Sequence, residues 1–481
     1  MKNITLYTVV LSMMLITSCV DSLDDYNIDQ KRPSSAPPES FFTNALKNLA
    51  DAITTPSVNN NNFRLYVQQW ATTTYLQEPR YDLTSRIIPQ NLWQSMYKDV
   101  IGDLRESKRL VEADLFISAE NKAVTLAQIE VVEVYAWSIL VTTFGNIPYS
   151  EAMNFQNPTP VYDNAATVYD DILIRLDGAI TAFEAGGSGF QAADVLYSGS
   201  VEKWVRFGNS LKLKLAMLLA DENNAKAKTL VEEASQNVFT SNADNARFPY
   251  LASPPNNNQL SANLNPNFST RQDYVIAGAF INTMNARNDP RRPFYFTAVN
   301  GEYKGGNYGF ANAYADFSHV SDKVIAPNFE SLLLDYSEVE FLLAEAIERG
   351  FTIAGTAEDH YNKAVEASIV YWGGTPADAT AYLAQPNVKY TTASGTYKEK
   401  LGTQKWIALY NRGIEAWTEW RKLDYPVLLP PSGGSVPAGL AIPVRIIYPI
   451  NEQTLNGGNR ESAATAIGGD LATTKLFWDK N

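Results

Sequence analysis

The sequence predicts a mostly α-helical protein, in which helix pairs form a scaffold with long loop insertions. Apolar residues recur at three- and four-residue spacing in several separate segments, as in helices that bury one face. Between these segments lie tracts rich in Asn, Gly, Pro and aromatic residues, which are too irregular to continue a helix. The chain has 481 residues, 45% of them hydrophobic, and can therefore bury a large core.

Residues 1–18 predict an export signal, since Lys2 precedes an apolar run too short to span a bilayer. The segment that ends this run, Ile16-Thr17-Ser18-Cys19, resembles the lipobox of bacterial lipoproteins, whose cysteine is acylated and becomes the mature N-terminus. We therefore expect lipidation of Cys19, a tether over residues 19–38 and a single domain over residues 39–481. The alternative is a simple secretion signal beside a stray cysteine.

The first two helix pairs are predicted at 124–144/166–184 and 201–221/225–236. Residues 134–144 are uncharged and apolar on nearly every side, so this helix is expected inside the body. Apolar spacing continues to Phe183, and Gly186-Gly187 then ends the second helix.

The third pair is predicted at 331–349/357–371. The apolar stripe of its first helix begins at Leu332, and we expect a solvated face on the opposite side. This face carries Asp335, Glu338 and Glu345. Thr356 and Asp359 predict a capping box for the second helix. Its spacing of Ala, Tyr and Ala resembles a tetratricopeptide repeat, so the three pairs are interpreted as degenerate, tetratricopeptide-like repeats.

Aromatic residues divide into a core share and a loop share. Five tryptophans lie at helical spacing among apolar residues and are predicted to be buried: Trp137, Trp204, Trp406, Trp417 and Trp420. The loop over 300–326 combines glycines with five aromatic rings, and a long loop of this composition is expected to be ordered and functional.

Several segments, taken in order behind the lipobox, resemble the SusD/RagB family of outer-membrane nutrient-binding lipoproteins, in its SusD-like branch. They are Phe144-Gly145-Asn146-Ile147-Pro148-Tyr149, Asp289-Pro290-Arg291, the run from Leu334 to Ala346, Gln404-Lys405-Trp406-Ile407-Ala408-Leu409, and Glu415-Ala416-Trp417-Thr418-Glu419-Trp420-Arg421. The resemblance covers essentially all of the mature chain. It implies the α/α superhelix of that family, with the Asp and Arg of the second segment in a structural turn.

The resemblance also implies a function. We expect a lipid-anchored protein of the outer membrane, facing the cell exterior, that captures an oligosaccharide and delivers it to a SusC-like TonB-dependent transporter. Peptide capture, as on the RagB side of the family, is the first alternative. The net charge of −13 argues against nucleic acid as a ligand, because phosphate backbones require clustered cations.

The inventory of reactive groups argues against an enzyme. Only two histidines exist; His360 is predicted on a helix surface, and His319 lies in the aromatic loop. We expect no catalytic residue, metal or cofactor. A surface glycosidase is the remaining alternative, and Asp335, Glu338 and Glu345 are its candidate carboxylates.

Sugar rings stack on flat aromatic faces while their hydroxyls bond to polar side chains. Two regions fit this chemistry, one after the Asn-rich tract at 59–62 and one in the loop at 300–326. The predicted ligand-binding residues are Trp70, Tyr75, Arg80, Tyr81, Asp82, Tyr303, Asn307, Tyr308, Phe310 and Tyr314. The alternative is that these rings pack the loops onto the body.

Overall fold

Helices make up most of the regular structure, and the prediction of a mostly α-helical chain is confirmed. The computed structural model describes residues 36–154 and 156–480. The predicted signal peptide, Cys19 and most of the tether lie outside the described residues. From Pro38 onward the chain forms one compact unit.

The α-helices are α1 Pro38–Thr54, α2 Phe63–Tyr66, α3 Ile88–Gln94, α4 Gly102–Ala113, α5 Ala119–Phe144, α6 Ala165–Ala182, α7 Val201–Leu218, α8 Asn224–Ala234, α9 Gln259–Leu264, α10 Gly278–Asn285, α11 Arg292–Tyr295, α12 Tyr336–Glu348, α13 Ala357–Trp372, α14 Pro376–Leu383, α15 Tyr397–Ala408, α16 Gly413–Leu423, α17 Ile450–Leu455 and α18 Gly457–Ala466. A π-helical segment, Ser95–Ile101, joins α3 to α4.

The three predicted helix pairs are present: α5 packs against α6, α7 against α8, and α12 against α13. Contacts between α6 and α7 join the first pair to the second. Helix α5 is long and apolar enough to cross a membrane, but 89% of its most apolar window is buried in the domain. It is therefore the central core helix that the sequence predicted.

In residues 36–154 and 156–480, four short strands form two antiparallel sheets. Strand β1 (Trp70–Thr72) pairs with β3 (Tyr274–Ile276), and β2 (Ala246–Phe248) pairs with β4 (Ser331–Leu334). The prediction of helix from residue 331 onward is therefore wrong at its start. Residues 331–334 pair with β2 as a strand, and Asp335 caps α12 by accepting from the Glu338 amide at 2.8 Å.

The prediction of a solvated acidic face on α12 is also wrong. Asp335, Glu338 and Glu345 are 5%, 1% and 1% exposed. Arg412 lies 3.1 Å from Asp335 and 2.7 Å from Glu338, and Lys422 lies 2.8 Å from Glu345. Because α12 is covered by α13 on one side and by α15 on another, its polar face is internal, and ion pairs offset the desolvation of these carboxylates.

His360 is buried and not on a helix surface as predicted. Its Nδ1 lies 2.5 Å from Glu340 Oε2, and its Nε2 lies 2.8 Å from the carbonyl oxygen of Ala354. Both ring nitrogens face acceptors, so the imidazolium form satisfies both contacts. Burial opposes the charge, but these hydrogen bonds outweigh it and raise the pKa of His360. Of the capping box predicted nearby, the structure has one half, the bond from the Asp359 amide to Thr356.

The core predictions for the tryptophans hold. Trp137, Trp204, Trp406 and Trp417 are buried, and Trp420 is half-buried against the core.

The Asp289-Pro290-Arg291 turn is structural, as the resemblance implied. Its Asp and Arg form a fully buried ion pair at 2.6 Å, and the guanidinium also donates to Ser368 and Gln404.

Candidate functional site

Three loops from distant parts of the chain meet on one face of the domain: residues 73–87, 303–317 and 426–435. We call this face the loop platform. The first loop leaves β1, and the second is fixed to the partner strand β3 because the Gly306 amide donates to the carbonyl oxygen of Ile276. The third follows α16, accepts a hydrogen bond from Arg80 of the first loop at Ser435, and lies against Gly309 of the second loop at Pro431.

Asn312 fixes the conformation of the second loop. Its side-chain amide donates to the carbonyl oxygens of Thr72, Asn307 and Phe310 at 2.9, 3.0 and 2.8 Å, and its Oδ1 accepts from the Asn307 amide at 2.7 Å. The Asn312 amide itself donates to the carbonyl oxygen of Thr73. One buried side chain therefore shapes the loop and ties it to β1.

Arg80 joins all three loops. It lies on the first loop, its Nε donates to the carbonyl oxygen of Gly309 at 3.0 Å, and its two terminal nitrogens donate to the backbone and hydroxyl oxygens of Ser435 at 3.2 and 3.1 Å. The planar guanidinium suits such a role because its donors point in fixed directions. Arg80 therefore acts mainly as a positioning residue of the platform.

The second and third loops approach each other too closely for a side chain between them. Gly309 has a φ of +80°, and a Cβ at this position would lie 2.3 Å from the Cβ of Pro431. Next to this contact, the rings of Tyr81 and Tyr308 lie 6.4 Å apart between centroids. Burial raises the pKa of Tyr81 to about 12, so its hydroxyl stays protonated at neutral pH. These two rings pack the loops together.

Asp82 organises the turn that follows Arg80 on the first loop. Its Oδ1 accepts from the Thr84 and Ser85 amides at 2.9 and 3.1 Å, and the Ser85 hydroxyl bonds to its Oδ2. Burial alone would raise the pKa of Asp82, but these hydrogen bonds lower it to about 2. The carboxylate is ionised and already occupied by its own turn.

The exposed side chains of the platform combine an aromatic ring with apolar and amide groups. Tyr75 is 38% exposed, and the guanidinium of Arg86 lies 4.8 Å from its ring centroid. Val427 and Leu429 of the third loop are 71% and 74% exposed, and Asn307 is also exposed. Such a surface can cover the C–H face of a sugar ring and bond to its hydroxyls.

Trp70 was predicted to bind ligand, but it is buried in the core. Its side chain is 1% exposed, with Tyr274 4.9 Å away between ring centroids and the guanidinium of Arg64 4.9 Å from its centroid. The indole Nε1 donates to the Tyr410 hydroxyl at 3.3 Å. Trp70 belongs to β1 and lies beneath the platform, so its ring has no face free for a ligand.

The remaining predicted residues of the second loop are half-buried. Tyr303 lies under the guanidinium of Arg292 at 5.5 Å, and Phe310 lies beside Gly434. Tyr314 stacks near His319 with centroids 4.1 Å apart. Burial lowers the pKa of His319, whose Nδ1 bonds to a threonine hydroxyl.

The third loop was missed by the sequence reasoning. Residues 426–435 contain no aromatic residue, so a prediction based on sugar-stacking rings does not include them. A usable signal was present in the apolar residues that run directly into the prolines and glycines of residues 430–434, a pattern typical of an exposed turn.

The carboxylates considered for a glycosidase lie inside the domain and not on the loop platform. The three carboxylates proposed for a glycosidase are buried in ion pairs below the surface, which leaves them without access to a sugar. Within the part of the chain that the structure describes, no group of three or more His, Cys, Asp or Glu residues could hold a metal ion.

Comparisons with known proteins agree with this architecture. The model of the family SusD-like_2, described as "Starch-binding associating with outer membrane", matches residues 30–449. Among solved structures, a chitin-binding protein is 28% identical with a TM-score of 0.80, over 92% of this chain and 100% of that chain. A chitin-binding SusD homologue from Flavobacterium johnsoniae is 25% identical with a TM-score of 0.79, over 92% and 99% of the two chains.

A SusD homologue from Bacteroides uniformis is 28% identical with a TM-score of 0.76, over 92% of this chain and 99% of that one. No curated protein sequence matches the chain.

Proposed function

We propose that this chain, which belongs to the SusD-like family of proteins described as starch-binding and associating with the outer membrane, binds an oligosaccharide on the loop platform. The observation that carries the proposal is the meeting of three loops around Arg80 and Asn312, with Tyr75, Asn307 and Leu429 exposed on their outer side.

Chitin fragments are the first ligands to test. Two similar solved structures are described as chitin-binding, at 28% and 25% identity over nearly the whole chain. The N-acetyl groups of this polymer supply apolar methyl surface and amide hydrogen bonds, which suit a platform that mixes Leu429 with Tyr75 and Asn307. The family description makes starch fragments the second class to test.

The protein is also proposed to be attached to the outer membrane by a lipid and to deliver its ligand to a transporter. Lipidation at Cys19 would hold the domain at the outer membrane, and the acidic residues Asp21, Asp24 and Asp25 resemble a signal for export to the cell surface. A SusC-like TonB-dependent transporter is the proposed partner that receives the ligand. Its presence beside this protein in mild detergent extracts of native membranes is the test; recovery of this protein alone from several such extracts would contradict the partnership.

Calorimetry with chito-oligosaccharides, malto-oligosaccharides and mixed peptides tests the ligand class. We expect saturable binding of a glycan, no binding of peptides, and no cleavage of the bound glycan on prolonged incubation. Peptide binding without glycan binding would favour the RagB-like alternative, and release of shorter sugars would favour a glycosidase.

Variants at Tyr75 test the site. Tyr75→Ala should weaken glycan binding by about 1–3 kcal/mol if the ring stacks on sugar, whereas Tyr75→Phe keeps the ring and should retain most of the affinity. Phe116→Ala is the matched control, since Phe116 is 98% exposed on the loop between α4 and α5, which is not one of the three platform loops. Equal affinity of Tyr75→Ala and wild type would show that the ligand binds elsewhere.

A further inference from the structure

We propose that the loop between α4 and α5, residues 114–118, inserts its tip into the lipid surface and orients the domain on the membrane. The tip carries Leu115 and Phe116, which are 89% and 98% exposed, more than any other large apolar side chain among the described residues. Single exposed apolar residues are ordinary, but two adjacent large ones in full contact with water are not explained by packing.

The loop holds this tip away from the domain. Asp114 Oδ1 accepts from the Phe116 amide at 2.8 Å, and Lys122 Nζ donates to the carbonyl oxygens of Glu112 and Asp114 at 3.0 and 2.7 Å. On the other side, Ser118 caps α5 by accepting from the amide of its third residue. The backbone is therefore fixed before and after the tip, and the two side chains point outward because of this geometry.

The position of the loop favours lipid as its partner. Pro38, the first residue of the compact unit, accepts a hydrogen bond from Ser107 of α4 at 2.7 Å, and Pro38, Asp114 and Ile117 border the same cavity of 360 Å³. Pro38 follows the proposed lipid anchor Cys19 by 38 − 19 = 19 residues. Nineteen residues reach at most about 65 Å even when fully extended, so a lipid attached at Cys19 would limit how far Pro38, and the tip beside it, can lie from the membrane.

A lipid surface also fits the size and charge of the tip. Two side chains are far too few for a stable protein interface, which buries about 800 Å² per partner. The acidic residues Glu112, Asp114 and Glu120 outnumber Lys122 beside the tip, so its insertion is driven by apolar burial and not by attraction to anionic groups. Once the chain is anchored, insertion is intramolecular, and even a weak contact fixes the orientation.

The test uses the full-length lipidated protein in phosphatidylcholine vesicles that carry doxyl-labelled lipid. Cys19 is the only cysteine, so Ala119→Cys adds a single free thiol beside the tip for an environment-sensitive fluorophore. We expect blue-shifted emission and quenching by the doxyl groups, unchanged at high salt. A label at Leu471→Cys serves as the control and should report water, because Leu471 adjoins Asp470 and lies near the opposite end of α5, about 39 Å away along the helix.

Substitution of the tip residues tests whether the side chains of Leu115 and Phe116 cause the insertion. In the Ala119→Cys background, Leu115→Ser with Phe116→Ser should lower the ratio of inserted to free tip about ten-fold or more. The matched control is Ile174→Ser with Leu471→Ser, which removes two apolar side chains that are 70% and 64% exposed elsewhere and should change nothing.

The inference rests on the lipid attachment of the proposed function and not on the ligand, so vesicle flotation is measured in parallel. Flotation with a water-exposed label beside the tip overturns the inference alone. Quenching that persists in the double tip variant, or that requires an added protein, also overturns it. Loss of flotation in every variant contradicts the lipid attachment and the inference together.

Discussion

Asn312→Ala should release the second loop of the platform. The Asn312 side chain is 5% exposed and bonds to the backbone of Thr72, Asn307 and Phe310. Its amide group has two hydrogens for three carbonyl acceptors, so one hydrogen is shared, and the carbonyl of the side chain accepts once. The substitution therefore removes the equivalent of three hydrogen bonds.

At about 1 kcal/mol net for each bond, the loss is about 3 kcal/mol of local stability. Amide exchange from residues 306–313 should then be about 100-fold faster, since 1.4 kcal/mol corresponds to a factor of ten. Hydrogen exchange followed by mass spectrometry measures this directly. Glycan affinity should fall as well, because the loop must be ordered again on binding.

Asn328→Ala is the matched control, an exposed asparagine further along the same stretch of chain. It should leave exchange in residues 306–313 unchanged. Exchange in Asn312→Ala within about three-fold of wild type, a difference below roughly 0.7 kcal/mol, would refute the assignment of Asn312 as the residue that holds the loop.

Three further predictions concern the scaffold. His360→Gln should cost stability mainly at low pH. Because the pKa of His360 is raised in the folded state, its pair with Glu340 stabilises the fold fully below about pH 6.5, and this stabilisation is lost as the pH rises through the folded-state pKa. A difference in melting temperature that does not change with pH would contradict this prediction. Glu419→Gln should lower the free energy of unfolding by about 3–5 kcal/mol, because Lys405, 2.7 Å away and 1% exposed, would remain buried without its partner. A urea titration that shows a loss of less than about 1 kcal/mol would argue against a stabilising role of this ion pair. Trp70→Ala should destabilise the fold by about 3–5 kcal/mol through loss of core packing, and a thermal melt identical to wild type would show that the ring is not part of the core.

The helices that could be predicted are those in which periodic apolar spacing is long enough to distinguish a helix from a strand. The central helix α5 and the pairs around it are of this kind. The segment Ser331–Leu334 is too short for its period to be read, and its partner strand lies more than eighty residues earlier in the chain. The carboxylates of α12 were predicted to be solvated because their cationic partners, such as Arg412 and Lys422, are distant in sequence.

For the candidate site, the sequence identified two regions but not their arrangement. Arg80 and Asn312 bond mainly to backbone carbonyl oxygens, and such contacts leave no pattern in the sequence of the acceptor loop. Trp70 was misassigned because a lone tryptophan after a polar tract has the composition of a loop, whereas three residues of β1 were enough to turn it inward. The third loop joins the platform only through tertiary contacts, which no local sequence pattern indicates.

The buried ion pairs of the scaffold have a consequence for the order in which the chain can fold. Among the ion pairs of the described residues, Asp335 at the start of α12 pairs with Arg412 alone. Glu338 pairs with Lys214 as well as Arg412, and Glu345 pairs with Arg349 as well as Lys422. A carboxylate buried without its partner costs several kcal/mol, so a nascent chain that ends before Arg412 cannot offset the burial of Asp335. During vectorial synthesis or passage through a membrane pore, the start of α12 therefore becomes stably buried only after Arg412 has emerged.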